Sequence, residues 1–354
     1  MYLVIPIYKS GNQTLSNNYR PISVLTAVSK IYEKVVLHRL LTFFDNNNII
    51  EPNQFGFTAR SSTLAACLNL TNYLSKEQNL KKLCACVFLD IKRAFDTVHH
   101  SILIHKLGKL KFNSQQINLF QSYLLHRHQY VTVNGVESRM EVVTKGVPQG
   151  SIIGPILFNF FINDMFQLKL HGLLQLYADD GVLMYADSCL ENLYVEMQED
   201  LNTLNKWFNQ NHLILNTEKT KYMIFKSSNH QVSDQPLLYG SDNISRVKLH
   251  TYLGLLIDEK LKWYEHINSI QKSITPYIFA IRRVKHFISK KQLLQIYYAY
   301  IHSRLVYLNP IWSGNSQLKL MELEILQKRV LKYPVNHKSI IRPVIRKIFY
   351  AFVD

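Results

Sequence analysis

The stretch Leu173–Asp187, LLQLYADDGVLMYAD, sets two adjacent carboxylates, Asp179 and Asp180, between two apolar runs. LLQLYA and GVLMYA have the length and composition of strands, and Asp180-Gly181 is a dipeptide that favours a two-residue hairpin turn. Taken alone, an Asp pair at a tight turn is ordinary turn chemistry. Three features elsewhere in the chain change that reading.

The first is CACVFLDI, Cys84 to Ile91, a short apolar run of strand formers that ends in Asp90. If this strand lies beside the hairpin in one sheet, Asp90 approaches Asp179. Crowded carboxylates repel unless cations neutralise them, and hard oxygen donors suit Mg²⁺, with Mn²⁺ able to stand in. The second is VPQGS, where flexible glycines flank Gln149 at the start of an apolar helix, a place to hold a planar base or a sugar. The third is charge. Lys and Arg number 41 against 25 Asp and Glu, a net +16, which favours a polyanionic partner such as nucleic acid over a small acidic substrate.

At 354 residues with 47% hydrophobic side chains, the chain can bury a large core in two or three packed subdomains. Cys67, Cys84, Cys86 and Cys189 form no CxxC pair, so neither a zinc site nor a disulfide framework is legible. MYLVIPIYKSG lacks a basic leader and is broken by Pro6, and IIGPILFNFFI is too short and interrupted to span a bilayer. A soluble, intracellular protein without a membrane partner is expected.

Along the chain, Val28, Ile31 and Val35 mark an amphipathic helix that runs out in DNNN at Asp45 to Asn48. A second helix starts after Ser61 or Ser62. Asn134-Gly135 centres a hairpin, and Leu193, Met197, Leu201, Leu204 and Phe208 form a helical core face. From His266 to Met321 there is no Asp or Glu, while Lys272, Arg282, Arg283, Lys285, Lys290 and Lys291 alternate with tyrosines. A separate basic helical subdomain is expected after a boundary near Asp258.

NYRPISVL (18–25), NQFGFTARSST (53–63), FLDIKRAFDTV (88–98), GVPQGSIIGPILFNFFIND (146–164), YADD (177–180), LNTEKTKYMIF (215–225) and YLGLLID (252–258) resemble, in order, the motif series of reverse transcriptases, and most closely those of jockey-type non-LTR retrotransposons. The resemblance implies an α+β right-hand polymerase with fingers, an antiparallel-sheet palm and a helical thumb. It divides the chain into fingers (1–83 and 98–144), palm (84–97 and 145–257, including a primer-grip hairpin), thumb (258–335) and a basic tail (336–354).

By position, Asp90 and Asp179, aided by the carbonyl of Ile91, would hold two Mg²⁺ ions, and Asp180 would be a third, more peripheral carboxylate. Lys219 falls where the family protonates the leaving pyrophosphate, although a solvated lysine near a turn reads almost as well. Lys9 and Arg20 match positions that contact the triphosphate, and Gln149 and Gly150 would lie against the incoming nucleotide. Phe95 occupies the steric-gate position that excludes a 2′-hydroxyl; outside its motif it would read as a core phenylalanine. Thr58 stands where a basic residue is usual. The thumb lysines and arginines would track the duplex.

The implied partners are an RNA template, a DNA primer or RNA–DNA hybrid, and deoxynucleotides, in the nucleus. An endonuclease normally precedes the polymerase in this family and is absent from this chain, so a copy cut short at both ends is expected. A non-catalytic RNA-binding protein of the same fold and an RNA-directed RNA polymerase are the alternatives. The carboxylates count against the first and Phe95 against the second.

Overall fold

The protein was analysed as a computed structural model, which describes residues 2–59, 61–110, 112–125, 127–225, 235–314 and 317–332. The amino-terminal part runs through β1 (Tyr2–Tyr8), β2 (Tyr19–Val24), α1 (Ala27–Asn46), α2 (Thr63–Asn79) and β3 (Leu83–Asp90). It continues through the single turn α3 (Ala94–Thr97), α4 (His100–Gly108), α5 (Ser114–Leu124), β4 (Arg127–Val133), β5 (Val136–Glu137) and β6 (Glu141–Val143). The middle comprises α6 (Gly154–Ile162), β7 (Leu173–Tyr177), β8 (Asp180–Asp187), α7 (Leu190–Gln210), β9 (Lys221–Phe225), β10 (Leu237–Tyr239) and β11 (Asp242–Arg246). A hairpin of β12 (Leu249–Tyr252) and β13 (Leu255–Asp258) leads to α8 (Tyr264–Val284), α9 (Lys290–Tyr297), α10 (Ser303–Val306), α11 (Asn309–Trp312) and α12 (Gln317–Leu331).

The central sheet has six strands in the order β10-β11-β9-β3-β8-β7. Its pairs are antiparallel except β11 with β9. A second sheet, β2-β1-β4-β5 with β6 also on β4, carries the amino terminus. Its Asn134-Gly135 turn has positive φ at both residues, as a type I′ hairpin requires.

Strand alternation divides the core in two. Ala85, Val87 and Leu89 of β3 pack with α1, α4, α6 and α7, while Cys84, Cys86 and Phe88 pack with α2, the β12–β13 hairpin and the carboxy-terminal helices. The basic helical region therefore shares a core with one face of the central sheet. Asp90 continues the Cys84–Cys86–Phe88 face to the end of its strand.

Ser62 caps α2 by accepting from the Ala65 N–H, and all five apolar positions read on α7 are buried. Helix α1 differs from the expectation. Val28, Ile31 and Val35 are 77%, 65% and 51% exposed, and Glu33, Leu40 and Phe44 are buried instead. The helix carries two apolar stripes, and periodicity alone cannot choose between them. No helix among the described residues is long and apolar enough to cross a membrane. The expected basic tail, 336–354, lies outside the described residues.

Candidate active site

The register Tyr177↔Asp180 puts the β7–β8 turn at Ala178-Asp179 rather than at Asp180-Gly181. Ala178 takes a left-handed φ of 54°, unfavourable for a residue with a Cβ. Gln54 holds it there, its Oε1 accepting from the N–H groups of Ala178 (3.0 Å) and Gly56 (2.9 Å). A Cβ on Gly56 would lie 2.3 Å from the Ala178 nitrogen, so only glycine lets this loop buttress the turn. Gly181 serves a different purpose from the expected turn: it is a strand residue over which Leu176 and Leu89 close.

Asp179 thus occupies the turn, and Asp180 begins β8 directly opposite Asp90. Burial raises the Asp179 carboxyl above its ordinary range; its own backbone N–H opposes the rise, Asp90 adds to it, and Arg20 and Lys9 oppose it. Asp180 is pushed up to about 6 by burial and then by Asp179 and Asp90, against Lys219 and Lys9. By surface area Asp180 is exposed, so water screens part of that push.

The loop before β9 clasps Asp90. Asn216 donates its backbone N–H to the Asp90 carbonyl (2.8 Å) and its Nδ2 to Oδ2 (3.0 Å), while the Asp90 N–H donates to Thr220 Oγ1 (3.3 Å). Lys219 Nζ stands 3.7 Å from the same Oδ2.

These groups open onto a cleft of ≈ 1120 Å³. Lys9, Arg20, Asp90, Ile91, Phe95, Gln149, Gly150, Asp179 and Lys219 all line it, with Asp180 outside the lining. Phe95 packs against Phe158 (centroids 4.7 Å apart) and edge-on to Phe57 (6.4 Å). Gly150 has φ +108°, and the space its missing Cβ leaves is taken by the Ser23 carbonyl, which a Cβ would approach to 2.8 Å. Thr58 Oγ1 turns inward to the carbonyls of Gln54 and Phe55. Lys272, Arg282, Arg283, Lys290 and Lys291 lie away from the cleft on the carboxy-terminal helices, exposed and without an ion pair among the described residues; Lys285 is half-buried there.

Sequence reasoning passed over Lys92, Arg93, Asp96 and Asn216, which line the same cleft, as well as Gln54 and the buried Glu33. Glu33 accepts from the Ile152 N–H (2.5 Å) and so anchors the loop that carries Gln149. Asp96 and Asn216 lie inside quoted motifs, where the signal was present but unassigned.

Among the described residues no three His, Cys, Asp or Glu side chains are spaced as a ready-made metal cage. Mg²⁺ is commonly held by one or two carboxylates completed by water and substrate phosphates. Two mutually repelling carboxylates at the floor of a cleft lined by basic side chains fit that mode of binding.

A family profile described as "Reverse transcriptase (RNA-dependent DNA polymerase)" matches residues 7–257. The chain is 29% identical over 343 residues to the "Probable RNA-directed DNA polymerase from transposon BS" of Drosophila melanogaster, covering 94% of this chain and 38% of that protein. It is 28% identical to the "RNA-directed DNA polymerase from mobile element jockey" of Drosophila funebris, covering 93% and 37%. The chain thus spans under two-fifths of the length of these relatives. Among solved structures, apo telomerase from Candida tropicalis aligns with a TM-score of 0.49 at 13% identity, covering 95% of this chain and 57% of that one.

Proposed function

The chain belongs to the reverse transcriptase family, and from that membership we propose that it is an RNA-directed DNA polymerase of a non-LTR retrotransposon, adding deoxynucleotides to a primer 3′-hydroxyl. One observation carries the reading: Asp90, Asp179, Arg20, Lys9, Phe95, Gln149 and Lys219, drawn from distant parts of the sequence, line a single cleft.

Asp90, Asp179 and the Ile91 carbonyl would hold Mg²⁺, which when bound acidifies the primer hydroxyl and neutralises the triphosphate. Arg20, whose planar fork matches phosphate oxygens, and Lys9 would bind the triphosphate, with Lys92 and Arg93 beside them. Lys219 would give its proton to the leaving pyrophosphate. Asn216 fixes one oxygen of Asp90 and so orients the carboxylate. Phe95, braced by Phe158, would exclude a 2′-hydroxyl. The cations of the helical region would track the phosphates of an RNA–DNA hybrid with steep salt dependence. We assign this region to a thumb, the central sheet to a palm and the amino-terminal sheet to fingers, with the nucleus as the place of action.

The test is extension of a DNA primer on an RNA template with Mg²⁺, supplying deoxynucleotides or ribonucleotides. Extension with deoxynucleotides alone is expected; hybrid binding without extension would replace this reading with a purely RNA-binding role.

A further inference from the structure

We propose that the buried Gln175 is a positioning residue: its amide ties the β12–β13 hairpin to the strand that leads into Asp179, and so sets where a primer 3′-hydroxyl held by that hairpin rests against the carboxylates. The inference rests on the polymerase reading, in which this hairpin grips the primer end.

Gln175 lies in β7 and is completely buried. Its Nε2 donates to the Ala66 carbonyl of α2 (3.0 Å) and to the Tyr252 hydroxyl of β12 (3.0 Å), and its Oε1 accepts from Asn69 Nδ2 of α2 (2.7 Å). A carbonyl only accepts, so the Ala66 contact fixes the sense of the amide, and the other two bonds follow from it. Leu174 and Leu176 turn into the core under α1, α4, α6 and α7, which leaves Gln175 on the face that carries Phe88, Val182 and Met184. An apolar side chain would fill that place without fixing a direction. A fully paired amide specifies one arrangement of the three elements it joins.

The hairpin meets the Asp90 strand differently, through rings. His250 stacks on Phe88 of β3 (centroids 4.1 Å apart), and Tyr252 lies 5.9 Å from the same ring. Stacked rings slide with little loss, whereas a hydrogen bond weakens steeply once its angle fails. The Gln175–Tyr252 bond therefore supplies the directional part of the joint. Directly after Tyr252 the chain turns at Leu253 and Gly254, both at positive φ, and the Tyr307 hydroxyl donates to the Leu253 carbonyl (2.7 Å). Tyr307 anchors the turn to the carboxy-terminal helices and Gln175 anchors it to the sheet. Strand β7 is itself braced, because the Leu176 N–H donates to the Asn53 carbonyl (2.9 Å) and the Phe55 N–H to the Leu176 carbonyl (2.8 Å).

The test is single-turnover extension of a primer–RNA template hybrid with Mg²⁺, read as the rate at saturating deoxynucleotide, the apparent deoxynucleotide Kd, the hybrid Kd and the melting temperature. Tyr252→Phe removes the hydroxyl and keeps the ring. It should slow the saturated rate about 10-fold, as a slightly displaced primer end would, with both Kd values within about twofold of wild type. Gln175→Leu should slow it to a similar extent, and the double variant no further, since each change removes the same tie. Should Gln175→Leu fail to fold, Tyr252→Phe carries the test, because it leaves the Ala66 and Asn69 bonds in place.

The control is Asp200→Asn. Asp200 is buried elsewhere and accepts from the N–H groups of His171 and Gly172 and from the Tyr185 hydroxyl, so this variant should lower the melting temperature without slowing the saturated rate. A wild-type rate in Tyr252→Phe, a parallel loss of hybrid affinity, a double variant slowed by the product of the single effects, or equal slowing by Asp200→Asn would overturn the inference and leave the polymerase reading in place. Absence of extension by wild type on a bound hybrid would overturn both.

Discussion

The carboxylates Asp90 and Asp179 in the cleft are held by neighbours, whereas Arg282, Arg283, Lys290 and Lys291 on the carboxy-terminal helices are left to water. Asp90 is gripped through both its backbone and its carboxylate by Asn216 and Thr220, and Asp179 sits on a turn locked by Gln54. Lys290 and Lys291 are exposed in the first turn of α9, and Arg282 and Arg283 in the last turn of α8, with no ion pair among the described residues. Chemistry on a phosphate needs donors placed to a fraction of an ångström. Neutralising a duplex needs only a field of mobile cations. On the proposed function, the difference between the regions is the difference between those two tasks, and it can be broken from either side.

The largest effect is expected at Asp90. Asp90→Asn removes several kcal/mol of charge stabilisation, so extension should fall roughly 10³-fold or more. Hybrid affinity, measured by filter binding, should stay nearly unchanged; a parallel loss of affinity would dissolve the contrast.

From the other side, replacing Arg282, Arg283, Lys290 and Lys291 together with Ala should reduce the slope of log affinity against log salt by roughly three. Turnover at saturating hybrid should survive. An unchanged slope would show that these cations never meet the phosphates.

A smaller effect is expected at Phe95. Phe95→Val should relax selection against ribonucleotides by roughly 10-fold or more, measured as the ratio of kcat/KM values. Unchanged sugar selectivity would return Phe95 to the core, where Phe158 and Phe57 already hold it.

The smallest effect concerns Asp180. Its carboxyl titrates near 6 in the fold against 3.8 when free, so the native state holds the proton more tightly. Stability from this group is therefore present below about pH 4 and lost as pH rises through about 6. In metal-free buffer Asp180→Asn should melt about 1–2 °C above wild type at pH 7.5 and level with it at pH 4, a modest gain because the side chain is exposed. Equal melting at both values would mean that solvent already screens the three carboxylates.

How much of this was legible in the sequence depended on whether a signal was local. Strand β3 was readable as a short unbroken run of apolar strand formers, helix α7 because one helical period dominated it, and Asn134-Gly135 because its turn demands two left-handed residues. Helix α1 was misjudged because Val28, Ile31 and Val35 form a stripe as regular as the one that is buried. The hairpin turn was misplaced by one residue pair because Asp-Gly is the better turn former, and Ala178 adopts positive φ only under a tertiary hold from Gln54. In the cleft, motif order found Asp90, Asp179, Phe95 and Gln149. The pairs Asp96–Gln149 and Asp90–Asn216 join separate motifs, and no spacing within one motif could reveal them.

The most direct test is a single-turnover measurement with wild type and Asp179→Asn, each in excess over a primer–RNA template hybrid that both bind to saturation, with Mg²⁺ and one deoxynucleotide. The expected result is one-nucleotide extension by wild type and none by the variant at equal hybrid occupancy. Extension by Asp179→Asn at the wild-type rate, or none by wild type on a fully bound hybrid, would contradict it.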